Sequence, residues 1–295
     1  IVFEGGGTKG FAYCPLLRTL QEFDTYTHLR VYAGSSIGAL FAFLAAANYD
    51  WQYVDRLCRE TEFNEIIDDT RGYFRDLYRL WSRYGFCKGE ALKKLLRTVV
   101  AEKFGDVPIT FGDLYRETQK ILIVKGSNVN RKRVAYFSIH TTPDMSIEQA
   151  ILISMSYPLL FPPVSFREDL WVDGGLMDNF PYREARRFCS PSKKLLGAKL
   201  ITSKEMITPN GILHYSARIG SLYQYIKGIL SCLMAARESH ELKDESDSTI
   251  DMLYLHIDDI PYDEIESVKN SLDDIFRHAK MDIDTFLKDH HIKPL

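Results

Sequence analysis

No two of the five cysteines (Cys14, Cys58, Cys87, Cys189 and Cys232) stand at Cys-x-x-Cys spacing. That absence removes zinc knuckles and dithiol redox motifs, and the odd, scattered set reads as reduced thiols of an intracellular protein. An excess of one charge is also missing. The 37 basic and 40 acidic side chains are intermixed, with a net charge of -3, so no overall field gathers nucleic acid. The basic clusters Arg131-Lys132-Arg133 and Lys193-Lys194 are short and read as a solvated hairpin tip and a loop. No apolar run reaches the roughly 20 residues that cross a bilayer. The stretch 37–47 is too short, and 150–164 is broken by Pro158, Pro162 and Pro163. The chain is therefore expected to be cytoplasmic and at most peripheral to a membrane. Its eight histidines are dispersed, apart from His290-His291, and no metal site, internal repeat or low-complexity linker is legible. The first residues, Ile1-Val2-Phe3, already read as a strand and not as a start, as expected of a trimmed domain whose upstream targeting segments are not seen.

What is present is a large apolar content, 45% of 295 residues, enough for one substantial core. A single domain is expected over 1–295. Residues 1–3 form a short apolar strand, three glycines follow, and 9–23 show helical spacing. The pattern then repeats: 29–33 is strand-like, Gly34-Ser35-Ser36-Ile37-Gly38 is a turn, and 39–47 is a helix apolar nearly all round, hence buried. Two successive strand-turn-helix units predict a parallel sheet covered by helices. Further on, the sequence predicts a helix over 90–104, with 111–114 leading into a strand at 120–126 and an antiparallel partner at 134–140. A helix capped by Ser146 follows over 146–156, then a strand ending at Trp171-Val172, strands at 195–201 and 252–257, and helices over 215–242 and 264–288.

The chemistry concentrates at the turns. Gly-x-Ser-x-Gly between a strand and a helix is what a nucleophile elbow requires: Gly34 and Gly38 remove side chains that would strike neighbouring backbone, and Ser36 is held clear beside a helix N-terminus. The bland alternative is that Ser35 or Ser36 simply caps the helix. Gly5-Gly6-Gly7-Thr8-Lys9-Gly10 exposes backbone N–H groups that suit a phosphate or an oxyanion. Gly5, Gly7 and Gly10 also fit the dinucleotide fingerprint, but no acidic residue ends the next strand about 20 residues on. A P-loop is excluded because Lys9 is not followed by Ser or Thr. Asp173-Gly174-Gly175 ends a strand in a sharp turn. Alone it is an ordinary turn-maker; the order of the three motifs is the specific signal.

With these motifs the chain resembles the patatin-like phospholipase family. Supporting text includes Tyr84-Gly85-x-x-x-Gly89-x-x-Leu92, Thr110-Phe111-x-Asp113-Leu114, and Ser154, Pro158, Phe161 and Pro162 within 150–163. The likeness covers the motif-bearing core 1–183, while the strands and helices of 184–295 are compatible with it. The resemblance implies a three-layer α/β/α sandwich with a mostly parallel central sheet. It also implies a Ser36-Asp173 dyad without histidine, an oxyanion hole from Gly5, Gly6 and Gly7, and motif glycines Gly10, Gly34, Gly38, Gly174 and Gly175. Lys9 stands where relatives more often have arginine and is the candidate for a lipid phosphate; Glu4 stands where they usually have aspartate. The function implied is a phospholipase A or lysophospholipase type of acyl hydrolase that needs no cofactor. Neutral-lipid or general carboxylester hydrolysis, or a membrane- or partner-binding domain needing a protein activator, are the alternatives. A Ser-His-Asp triad would need His214, His240 or His256. Peripheral contact with a lipid surface is assigned to an aromatic insert within 51–87, a candidate lid, and to 157–161, whose competing role is core packing.

Overall fold

Along the first strands successive side chains fall into two different apolar clusters, as expected where a sheet is covered on both faces. The computed structural model describes residues 1–23, 28–61, 66, 73–202, 205–208, 211–214, 225, 228–229, 232, 249–257 and 271–292. The strands are β1 (Val2–Phe3), β2 (Val31–Gly34), β3 (Ile121–Asn128), β4 (Arg133–Phe137), β5 (Val164–Phe166), β6 (Asp169–Asp173), β7 (Leu195–Thr202), β8 (Glu205–Thr208), β9 (Gly211–His214) and β10 (Ile250–Ile257). The helices are α1 (Tyr13–Glu22), α2 (Ile37–Ala46), α3 (Trp51–Glu60), α4 (Tyr73–Arg83), α5 (Glu90–Phe104), α6 (Phe111–Thr118), α7 (Ile147–Met155), α8 (Tyr182–Arg186) and α9 (Leu272–Asp289). Phe3, Tyr32, Leu122 and Val124 point into a large cluster built with α1, α2, α5, α7 and α9. Val2, Val31, Ala33 and Ile123 point the other way, toward Phe180 and Tyr182 and Ala185 of α8. The architecture is the expected α/β/α sandwich.

An eight-stranded sheet runs β10-β7-β1-β2-β3-β6-β5, with β4 also paired to β3. The strands from β10 to β3 are parallel, and β4, β5 and β6 are antiparallel to their neighbours. Register positions the turns. Phe3 lies opposite Gly34, Gly34 opposite Val124, and Gly126, two residues further along β3, opposite Asp173. The glycine turn after β1, the Ser36 turn after β2 and the end of β6 therefore leave the sheet at one edge, where open α/β sheets carry their sites.

Helix α2 is buried along its whole length, which its uniformly apolar sequence requires. Helix α5 buries Leu92, Leu96, Val99 and Val100, one face at helical spacing. Several elements differ from expectation. The helix expected over 9–23 opens as a 3-10 turn, Gly7–Ala12, before α1 begins. The glycine turn packs tightly there: a Cβ on Gly10 would lie 2.5 Å from Ile37 Cγ2. Residues 111–114 do not lead directly into a strand but open α6, because Thr110 and Asp113 form a reciprocal capping box. Thr110 Oγ1 accepts from Asp113 N at 3.1 Å, and the Asp113 carboxylate accepts from Thr110 N at 3.0 Å. Strand β5 and the β8–β9 hairpin were not anticipated. The stretch 51–87 is not one insert: Val54 and Cys58 of α3 are buried in the core, whereas Tyr78, Trp81 and Tyr84 stand 69%, 84% and 60% exposed. The helix expected over 215–242 lies outside the described residues except at 225, 228–229 and 232, and α9 occupies most of 264–288. Among the described residues no helix is long and apolar enough to cross a membrane.

Candidate active site

Ser36 occupies the left-handed half of backbone space, with φ 52° and ψ -128°, a strained conformation for a non-glycine residue. Its flanking glycines allow the bend. A Cβ on Gly34 would fall 2.1 Å from the Gly38 carbonyl oxygen, and one on Gly38 would fall 2.5 Å from that of Glu4. Although Ser36 precedes α2, its side chain makes no capping hydrogen bond, so the simple helix-cap reading does not describe it. The turn is held from outside by the buried Ser154 of α7, whose Oγ accepts the Ser36 N–H at 2.9 Å. The hydroxyl of Ser36 sits at the N-terminus of a buried helix, where the peptide dipoles favour negative charge.

Asp173 closes β6 and is 2% exposed. Its N–H donates to the Ser156 carbonyl at 2.9 Å, just beyond α7, and its Oδ1 accepts from Gly175 N at 2.6 Å. Burial pushes its carboxyl up from the usual 3.8 to about 6; the Ser36 hydroxyl, the Gly175 N–H and the charge of Lys125 oppose that rise. Oδ2 makes no hydrogen bond of standard geometry, yet Ser36 is close enough to favour the ionised carboxylate. A loose contact of this kind is common for catalytic pairs without substrate. Gly174 is required because a Cβ there would lie 2.6 Å from the Lys125 carbonyl oxygen and 2.7 Å from Ser35 Oγ.

The glycine turn lies against the same centre. A Cβ on Gly5 would sit 2.3 Å from Asn179 Oδ1 and 3.2 Å from Ser36 Cβ. Its N–H donates to the Asn179 carbonyl at 3.2 Å, and its own carbonyl accepts from Asn179 Nδ2 at 2.8 Å. Gly5 is thus already engaged. No described residue accepts from the N–H groups of Gly6 and Gly7, and Gly7 has φ 55° with open space around it. Lys9 is half-buried in the 3-10 turn that follows. Gly10 packs on Ile37, the first residue of α2, which joins the glycine turn to the Ser36 turn.

Three residues around this centre stand outside the motifs, Lys125, Asp178 and Asn179, whereas Ser154 is among the residues that carry the family resemblance. Lys125 is fully buried; its Nζ lies 2.6 Å from Asp178 Oδ2 and also bonds the Asp178 carbonyl oxygen. Tyr136 and the Phe180 N–H donate to the same carboxylate, at 3.1 and 3.0 Å. Only a polar cluster just after Asp173-Gly174-Gly175 hinted at this arrangement in the sequence. Of the candidate triad histidines, His256 of the edge strand β10 pairs with Asp282 of α9, at 3.2 Å, and His240 and the side chain of His214 lie outside the described residues. Among the described residues no group of three or more His, Cys, Asp or Glu side chains is placed to hold a metal ion. A cavity of about 520 Å³ lies between α5, α7 and residues 161–165, walled by Leu92, Leu152, Phe161 and Pro162; neither Ser36 nor Asp173 lines it.

The chain is similar to known proteins in sequence and in fold. A family model described as patatin-like phospholipase matches residues 1–186. An uncharacterised protein of Acanthamoeba polyphaga mimivirus is 29% identical over 229 residues, which cover 77% of this chain and 72% of that protein. A protein of Invertebrate iridescent virus 6 described as a probable lipid hydrolase is 26% identical over 199 residues, covering 66% of this chain and 65% of its own. The crystal structure of VipD from Legionella pneumophila shares the fold, with a TM-score of 0.55 at 17% identity over 96% of this chain and 66% of that one. The chain spans about two thirds of the length of these relatives.

Proposed function

Because this chain belongs to the patatin-like phospholipase family, we propose that it hydrolyses carboxylic esters of phospholipids, with Ser36 as nucleophile and Asp173 as its base. The observation that carries the proposal is the buried Asp173 carboxyl, raised to about 6, beside a serine held on a strained turn. An exposed aspartate is too weak a base for a hydroxyl, and desolvation strengthens it while leaving most of it ionised at neutral pH.

In the first half-reaction the Ser36 hydroxyl proton passes to Asp173 as Oγ bonds to the ester carbonyl carbon, and the carbonyl electron pair moves onto oxygen. The N–H groups of Gly6 and Gly7, which no described residue occupies, are the donors proposed for that oxyanion. One such donor is worth about 3 kcal/mol in the transition state. Collapse of the tetrahedral intermediate breaks the ester C–O bond, and Asp173 returns the proton to the departing alcohol, a lysophospholipid or glycerophosphodiester. Water then attacks the acyl-enzyme; Asp173 takes its proton and gives it to Ser36 Oγ as the fatty acid leaves. The acyl-enzyme splits one difficult substitution into two easier ones.

Lys9, two residues past Gly7, is proposed to meet the lipid phosphate as a point charge, without the two-pronged contact arginine makes. Tyr78, Trp81 and Tyr84 are proposed to touch the lipid surface, since exposed aromatics settle at a membrane interface. Labelling with a fluorophosphonate probe tests the nucleophile. Wild-type protein should be labelled and Ser36→Ala should not; equal labelling of both would remove Ser36 from the mechanism. Mass spectrometry of products from a mixed lipid panel distinguishes phospholipid hydrolysis, the expected outcome, from neutral-lipid hydrolysis.

A further inference from the structure

At the other end of β6 from Asp173, a second cavity of about 470 Å³ opens between β4 and the β5–β6 hairpin. Its wall runs along that strand from Asp169, about 13 Å from Asp173, to Trp171, two residues before it. Three arginines, Arg131, Arg133 and Arg167, line it together with a single carboxylate, Asp169. Arg131 is fixed by that carboxylate, Nε to Oδ2 at 2.6 Å, and Asn128 Nδ2 holds the same oxygen at 2.9 Å. Arg133 and Arg167 make no ion pair among the described residues, although the charge of Arg133 acts on Asp169; Arg167 lies over the Phe166 ring, 5.1 Å from its centroid. Thr142 is on the wall, 7% exposed, and its hydroxyl has no hydrogen-bond partner. A buried hydroxyl without a partner is costly enough that native structures seldom leave one. The turn presenting Arg167 keeps two non-glycine residues, Arg167 and Glu168, at φ 49° and 65°, where hairpins normally place Asn-Gly. Such strain collects where a side chain has a function beyond the turn.

We propose that this cavity binds an organic phosphate monoester. A monoester carries between one and a half and two negative charges at neutral pH, about the excess that three guanidiniums leave over one carboxylate. Arginine forks match phosphate oxygens in pairs. The aromatic wall of Phe166 and Trp171 would take the carbon portion of the ligand, and the Thr142 hydroxyl, closed to solvent in this structure, would donate to a phosphate oxygen after a χ1 rotation. The chemistry is shared by a monoester lipid headgroup and a soluble sugar or glycerol phosphate. It is independent of ester hydrolysis at Ser36.

Binding is measured on the Ser36→Ala protein, which leaves lipid probes intact. Glycerol 3-phosphate is titrated by calorimetry, and phosphatidylcholine vesicles with and without phosphatidic acid are tested by flotation. Binding of the soluble probe alone identifies a soluble ligand; binding dependent on phosphatidic acid alone identifies a headgroup. Both outcomes support the site only if Arg133→Ala/Arg167→Ala weakens binding by about tenfold or more, the loss expected from charge-assisted hydrogen bonds. Thr142→Val should weaken it several-fold. Both arginines are exposed, so an unchanged melting temperature certifies the variant's fold. Failure of both probes to bind at millimolar concentration, or undiminished binding by the double variant, overturns the proposal.

Discussion

Burial holds the Asp173 carboxyl at about 6, against 3.8 for an ordinary aspartate, and this has consequences for both stability and rate. The folded state favours the neutral acid, so the group's contribution to stability is full below about pH 4 and is lost as pH rises through 6. At pH 7 the ionised carboxylate is a burden on the fold, on the order of 2–3 kcal/mol. Asp173→Asn should therefore raise stability to denaturant at pH 7 while abolishing hydrolysis, and the gain should vanish near pH 4. The proposed base works ionised, so kcat/KM should climb with pH and level off above about 6; a flat profile from pH 5 to 8 would argue against it. Asn179 acts at one remove, by clamping Gly5 through both its backbone and its side chain. Asn179→Ala is expected to lower kcat about tenfold with little change in KM, because the oxyanion donors lose alignment and ground-state contacts remain. A raised KM with kcat unchanged would point to a binding role.

Among the elements, α2 and the turn before it tolerate least change. Gly38→Ala sets a methyl 2.5 Å from the Glu4 carbonyl and must push α2 off β1, a strain of about 1–3 kcal/mol that a thermal melt would register. Helix α4 behaves oppositely. Trp81 and Tyr84 are exposed, so replacing both with alanine should leave the melt and the turnover of a short soluble ester unchanged. It should weaken vesicle binding several-fold; undiminished binding would remove α4 from the interface. Residues 85–87 fix the end of this segment to 159–160, through Phe86 N to Leu159 O and Cys87 N to Leu160 O, both at 2.8 Å. The aromatic segment is thus coupled by backbone to the residues that follow Ser154 and Ser156. Much of this level was readable from periodicity: α2, α5 and α7 appear where apolar spacing and a capping serine put them. Helix α6 is announced only by its capping box, Thr110-x-x-Asp113, because eight residues are little more than two turns and too few to show a helical period. Strand β5 was missed because its turn, Arg167-Glu168, contains no glycine or asparagine to mark it.

For the molecule as a whole, strand order brings three distant turns together. The motifs at Gly5, Ser36 and Asp173 were legible one by one as local strand-turn patterns. Their convergence depends on the register of β1 with β2, β2 with β3 and β3 with the antiparallel β6, which no local pattern encodes. For the same reason the clamp of Asn179 on Gly5 and the buried Lys125–Asp178 pair could not be read from the sequence. Asn179 and Gly5 are 174 residues apart and meet where Phe180 and α8, just past Asn179, pack on the face of β1 and β2. The central claim is that this convergence makes Ser36 and Asp173 a hydrolytic pair on lipid esters. Its most direct test is fatty-acid release from phosphatidylcholine vesicles by wild type, Ser36→Ala and Asp173→Asn, followed by mass spectrometry. The account predicts release by wild type alone, with both variants folded and at least a thousandfold slower, roughly the scale of losing a catalytic group. Release by either variant at a rate near wild type would contradict it.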